Sequence, residues 1–155
     1  AEYPGLPKYQ PIAQGYESCY VGGDIRGEKT EFPLQCMTPH YQRRGHSIFD
    51  NIPWLQEAMT NPLFISKKDA AERGIAQGDT IQVTNDFGTV QLLAKVTPRV
   101  IPGVVAISQG AWHDADMAGD RIDKGGCINT LTTLRPSPLA KGNPQHTNIC
   151  QVVKA

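Results

Sequence analysis

At 155 residues the chain is long enough for one well-packed domain and short for two. Lysine plus arginine balance aspartate plus glutamate at 15 each, so no global basic field steers the protein onto nucleic acid or an anionic membrane, and any anion site must be local. Its 15 glycines and 12 prolines favour many turns and a β-rich fold, and no apolar run reaches the length of a transmembrane helix.

The opening AEYPGLPKYQPIAQGYES has no initiator methionine and no basic and apolar signal pattern, and it reads as the interior of a longer chain. Residues 1–31, with Gly5, Gly15, Gly22, Gly23 and Gly27, predict an extended, partly disordered lead-in to a domain over 32–155. In FPLQCMT, Phe32, Leu34, Cys36 and Thr38 alternate with other residues, which predicts a strand. The strand's end delivers TPHYQRRGHS, residues 38–47, into a loop, where binding groups often sit. Two histidines, two arginines and two hydroxyl residues in that stretch supply donors suited to phosphates and polar heterocycles. Taken alone, a solvated basic loop explains it equally well. Cys36, His40 and His46 stand in ligand-like order, yet no fourth ligand has matching spacing and the four cysteines form no C-x-x-C pair, so no metal site is predicted.

DNIPWLQEAM offers an N-cap at Asp50 or Asn51 and places Ile52, Leu55 and Met59 near one face of a short helix covering the core. PLFIS from Pro62 is a brief strand. SKKDAAERG then has the form of a capping box, Ser66 with Asp69, ending at Gly74. In IAQGDTIQVTNDFGTVQLLAKVT, Ile81 and Val83 share one strand face, residues 85–88 turn, and Val90, Leu92, Ala94 and Val96 share a face of the returning strand. VVAISQG follows a turn at PRVIPG and is apolar enough to be buried on both sides or closed within a barrel. HDADMAGDRIDKGG is a polar insert whose Asp114, Asp116, Asp120 and Asp123 lack EF-hand spacing and read as a solvated loop. HTNICQVVK is the final strand. Short strands, two helices and tight turns fit a compact β-barrel.

The series TPHYQRRGHS, ISKKDAAERGIAQGDTIQVTNDFGTV, PGVVAISQGAW and GGCINTLTTLRPSPLAKGNPQHTNICQVVK resembles the C-terminal dinucleotide-binding domain of the molybdenum enzymes of the dimethyl sulfoxide reductase family. Within that family it is most similar to the catalytic subunit of the membrane-associated reductases. The resemblance implies a mainly β fold, a double-psi β-barrel with short helices. It also implies a molybdopterin guanine dinucleotide cofactor, bound as a bis complex of molybdenum and completed by domains outside this chain. By the resemblance, Thr38, His40, Arg43, Arg44, His46 and Ser47 run along a pterin dinucleotide. Trp112 lies near the cofactor, Asn129 faces the pterin edge, and His146, Thr147 and Asn148 meet it ahead of the last strand. No catalytic residue or metal ligand is implied here, and the chain alone is expected to be inactive and monomeric. An iron–sulfur subunit and a membrane anchor are the implied partners, nucleic acid is not, and the implied location is the periplasmic face of a bacterial cytoplasmic membrane.

Two other classes fit less of the chain. A free-standing double-psi barrel acting as a binding or recognition module rests on GIAQGD alone. A small hydrolase would need a nucleophile beside a base, and no G-x-S-x-G is present.

Overall fold

The computed structural model describes residues 5–9, 11–137, 140–143 and 146–155. Six strands close into one barrel: β1 (Leu34–Met37), β2 (Leu63–Ile65), β3 (Thr80–Asn85), β4 (Gly88–Val96), β5 (Val104–Ile107) and β6 (Asn148–Lys154), in the order β1-β5-β2-β4-β3-β6. Two of the pairings, β1 with β5 and β2 with β4, are parallel, and the other four are antiparallel. Closure leaves no barrel strand with a bare edge, and the inward residues of every strand meet in one core. Leu34, Leu63, Ile65, Ile81, Val83, Val90, Val105, Ile107 and Val152 fill that core.

The period-2 readings hold. Leu34 and Cys36 on β1 and Thr38 just past its end are buried, as are Val90, Leu92 and Ala94 on β4, while Val96 packs against the same core. The hairpin turns between Asn85 and Gly88, as its Asn-Asp-x-Gly sequence directs. Helix α2 (Lys67–Glu72) starts on the expected cap: the Asp69 N–H donates to Ser66 Oγ at 3.0 Å, and the Ser66 hydroxyl donates to Asp69 Oδ2 at 2.6 Å. Asp69 Oδ2 also accepts the Gly103 N–H at 2.9 Å, tying the helix to the start of β5.

Three readings need correction. Helix α1 (Pro53–Ala58) is capped by neither Asp50 nor Asn51; it begins after Ile52 with no side-chain cap, and Pro53 opens it. None of its residues is buried and Met59 is exposed, so α1 does not cover the core in this chain. Asp123 is not a solvated acid. It is buried, accepts the N–H groups of Asp114, Gly125 and Cys127, and takes the Thr130 hydroxyl at 3.1 Å. That carboxylate sets the insert against the Ile128–Leu131 turn, a single 3-10 turn.

The lead-in is also less extended than its glycines predict. Tyr16–Cys19 and Val21–Gly23 are 3-10 turns, the Thr30 N–H donates to Cys19 O, and Lys29 Nζ stands 4.1 Å from the Tyr20 ring centroid. Residues 1–4 and 10 of that stretch lie outside the described residues.

All four cysteines are free, and Cys19, Cys36 and Cys150 are buried. Burial pushes the Cys19 thiol up to about 11, and a hydrogen bond with Cys36, together with burial, raises that of Cys150. Thiolate is the reactive form, so at pH 8 a thiol reagent should modify half-buried Cys127 first and the other three only on unfolding. Mass spectrometry of briefly alkylated protein checks this; equal native labelling of all four would contradict the burial.

Candidate functional site

The end of β1 and the end of β5 run side by side and carry two loops toward each other. Buried Thr38 leaves β1, and the Gln109 N–H donates to Pro39 O at 3.0 Å. Gln109, itself buried, donates from Nε2 to His40 Nδ1 at 2.8 Å, and the His40 and His46 rings meet edge to face at 5.4 Å. A tight turn pairs Gly45 with Ile48, and inside it His46 adopts a positive φ of 55°. At Gly110, where φ is 92°, the backbone comes so close to this turn that an added Cβ would lie 1.6 Å from His46 O. Only glycine permits that approach.

The two arginines stand elsewhere than a donor-rich surface loop would put them. Their side chains are 3% and 0% exposed for Arg43 and Arg44. Both reach Asp50 Oδ1, Arg44 at 2.7 Å and Arg43 at 3.4 Å. Arg44 also donates to Asn61 Oδ1 at 3.0 Å and to Gln109 O at 3.2 Å. The second carboxylate oxygen of Asp50 accepts the Trp112 N–H at 2.8 Å, and the Trp112 indole N–H donates to Ser47 O at 2.9 Å. Asp50 thus joins the loop after β1 to the loop after β5. The Tyr41 ring lies 4.7 Å from the Arg44 guanidinium; burial raises its hydroxyl pKa, and the two nearby arginines oppose the rise.

This framework shapes a pocket of about 240 Å³ lined by His46, Ser47, Gln109, Gly110, Ala111, Cys127, Ile128 and Asn129. Of the residues singled out in the sequence, His46, Ser47 and Asn129 therefore share one wall system. Exposed Asn129 is presented by the Ile128–Leu131 turn, which Asn85 anchors by donating from Nδ2 to Leu131 O at 2.8 Å. Arg43 and Trp112 line a different cleft of about 510 Å³. Thr38, His146, Thr147 and Asn148 gather where β1 ends and β6 begins, with Thr38 Oγ1 lying 2.9 Å from His146 Nδ1 and Asn148 fully buried. Pro144 and Gln145 of the segment GNPQHTN lie outside the described residues.

Gln109 and Asp50 were missed as site residues. A buried glutamine at the end of an apolar strand was the available signal for Gln109. Asp50 read locally as a helix cap, and its tie to the Trp112 N–H, 62 residues on, left no local mark. The donor set of the pocket fits a pterin: the exposed Asn129 amide can pair with a donor and acceptor of the heterocycle edge, and an imidazole and a hydroxyl can meet ring or phosphate oxygens. The glycine-only contact at Gly110 leaves backbone rather than side chain in the pocket wall, so a flat ring can approach closely. Among the described residues no group of three or more His, Cys, Asp or Glu could hold a metal ion.

The closed barrel with its polar pocket defines a β-barrel binding domain, and comparison with known proteins makes the class specific. The family described as Molydopterin dinucleotide binding domain matches residues 34–149, and the chain belongs to that family. The putative dimethyl sulfoxide reductase chain YnfE of Escherichia coli (strain K12) is 52% identical over 149 residues, 96% of this chain and 18% of the relative. Dimethyl sulfoxide reductase DmsA of the same strain is 48% identical over 149 residues, 96% of this chain and 17% of the relative. The chain thus spans under a fifth of the length of these curated relatives. Among solved structures, acetylene hydratase from Pelobacter acetylenicus superposes with a TM-score of 0.65 at 19% identity, covering 81% of this chain and 19% of that one. The fold is accordingly the mainly β double-psi barrel with short helices.

Proposed function

We propose that residues 32–155, preceded by the lead-in 1–31, close over molybdopterin guanine dinucleotide in a bis complex with molybdenum, as part of the catalytic subunit of an S-oxide or N-oxide reductase. The observation that carries this reading is the convergence of His46, Ser47, Gln109 and Asn129 on one pocket inside the stretch matched by the family. When bound, the cofactor supplies the redox chemistry at molybdenum; this chain's residues bind and orient the pterin and exclude water from its edge. Asn129 holds the heterocycle edge, Gln109 holds the His40 ring in place, and His46 and Ser47 hold ring or phosphate oxygens. Thr38, His40, His146, Thr147 and Asn148 form the flank of the cradle at the barrel mouth. Arg44 acts one step back, holding the Gln109 carbonyl and Asp50 so that both loops keep their spacing. The names of the relatives favour dimethyl sulfoxide as acceptor. Anaerobic respiration, an iron–sulfur subunit, a membrane anchor and a periplasmic site complete the proposal.

Molybdenum and pterin content of the intact enzyme tests the cradle. Removing one buried hydrogen-bond partner costs about 1–3 kcal/mol, so Asn129→Ala or His46→Ala should weaken cofactor retention roughly 5- to 150-fold. Unchanged loading in both variants would remove the assignment.

A further inference from the structure

The cleft of about 510 Å³ shares no lining residue with the pocket of His46 and Asn129; Arg43, Gln56, Asn61, Leu93, Trp112 and Lys124 are among those that line it. Two independent features set it apart. The first is charge. Two guanidinium groups, 3% and 0% exposed, share the single carboxylate of Asp50, so the cluster carries one net buried positive charge, and among the described residues Arg43 Nε and Nη1 have no hydrogen-bond partner. An uncompensated buried charge is strongly unfavourable, and an anion would complete the cluster. The second is bare apolar surface. Helix α1, which contributes Gln56 to the cleft, buries none of its six residues; Trp54 is 67% exposed, and Trp112 on the cleft wall is 52% exposed. A helix this short does not sustain itself in water without packing. A buried cation beside the exposed Trp112 ring and half-exposed Leu93 on the same cleft wall is the chemistry of an interface anchor.

We propose that this cleft receives an aspartate or glutamate side chain from a segment of the same polypeptide outside residues 1–155. The incoming carboxylate pairs with Arg43, and the apolar residues beside it cover Leu93 and Trp112. The curated relatives hold the equivalent of this chain as 18% and 17% of a single longer chain, so most of the surrounding protein would come from that chain. The proposal stands whether or not the neighbouring pocket holds a pterin.

The test is photocrosslinking in the complete polypeptide with p-benzoylphenylalanine at position 93, on the cleft wall, followed by mass-spectrometric mapping. The expected crosslink joins position 93 to a peptide of the same polypeptide beyond these 155 residues that contains an acidic residue. Arg43→Glu should lower its yield several-fold and Arg43→Lys should restore much of it. Arg43→Met, which removes the charge without adding an acid, should fall between them even where Arg43→Glu fails to fold. Crosslinks to another subunit, crosslinks only within the chain, no crosslink, or a yield indifferent to Arg43 would each overturn the proposal. Molybdenum content read on the same samples separates this result from the cofactor reading, which fails on Asn129 and His46 instead.

Discussion

Replacing Asp50 with alanine should destabilise the domain by about 3–5 kcal/mol, the range for breaking a buried ion pair by removing one partner. Asp50 neutralises one of two buried guanidinium groups and accepts the Trp112 N–H, so its loss leaves two cations facing each other and a backbone donor unpaired. Repulsion between the arginines gives the effect a signature that simple cavity formation lacks. Adding Arg43→Met to Asp50→Ala should recover part of the loss, so the double-mutant cycle should show a coupling well above the error of additive sites. Asp50→Asn should cost less than alanine, because its amide oxygen can still accept from Arg44, although one oxygen cannot serve both Arg44 and Trp112. Urea midpoints at constant m decide it. A cost under about 1 kcal/mol for Asp50→Ala would mean the carboxylate contributes no more than an exposed ion pair.

The same residue shows where sequence reading stops. Asp50 has the right identity and position to cap a helix, and a local rule assigns it there. Its carboxylate instead serves Arg43, Arg44 and Trp112, and the last of these lies beyond four strands of the barrel. Ser66 obeys the same rule correctly because its partner, Asp69, sits three residues away. The β3–β4 hairpin was legible for the same reason: its alternation and its turn are both local properties. Asp123 was read as solvated from its polar neighbours, but a bridge to Val90 beside β4 turns it inward, where it satisfies three backbone N–H groups. The loop of residues 38–47 was legible as donor-rich, not as divided. His46 and Ser47 go to one pocket and Arg43 to another cleft because Asp50 draws the guanidinium inward. Asn129 came to the site through family resemblance, since nothing in CINTLTT announces that its turn packs opposite His46.

Gly110→Ala should be the most damaging single methyl addition near the pocket. Two penalties combine: a non-glycine residue at a φ of 92° costs about 1–3 kcal/mol, and the added Cβ would collide with the His46 carbonyl, at 1.6 Å from its oxygen. The chain must relieve that collision by parting the loops after β1 and β5, with an overpacking cost of about another 1–3 kcal/mol. At about 2–4 °C per kcal/mol for a domain of this size, the melting temperature should fall by roughly 4–24 °C. Gly22→Ala is the control, because Gly22 also has a positive φ, 64°, but no atom lies within 4 Å of an added Cβ. It should show the conformational cost alone. Parting the loops also moves Gln109, which lies beside Gly110, away from Asn129 across the pocket, so Gly110→Ala should reduce cofactor content while Gly22→Ala leaves it intact. Equal melting temperatures for the two variants would mean that the backbones do not meet at this distance. A destabilised Gly110→Ala with full cofactor content would separate the integrity of the fold from the pocket, and the cradle would then have to be built from the residues at the β1 and β6 ends instead.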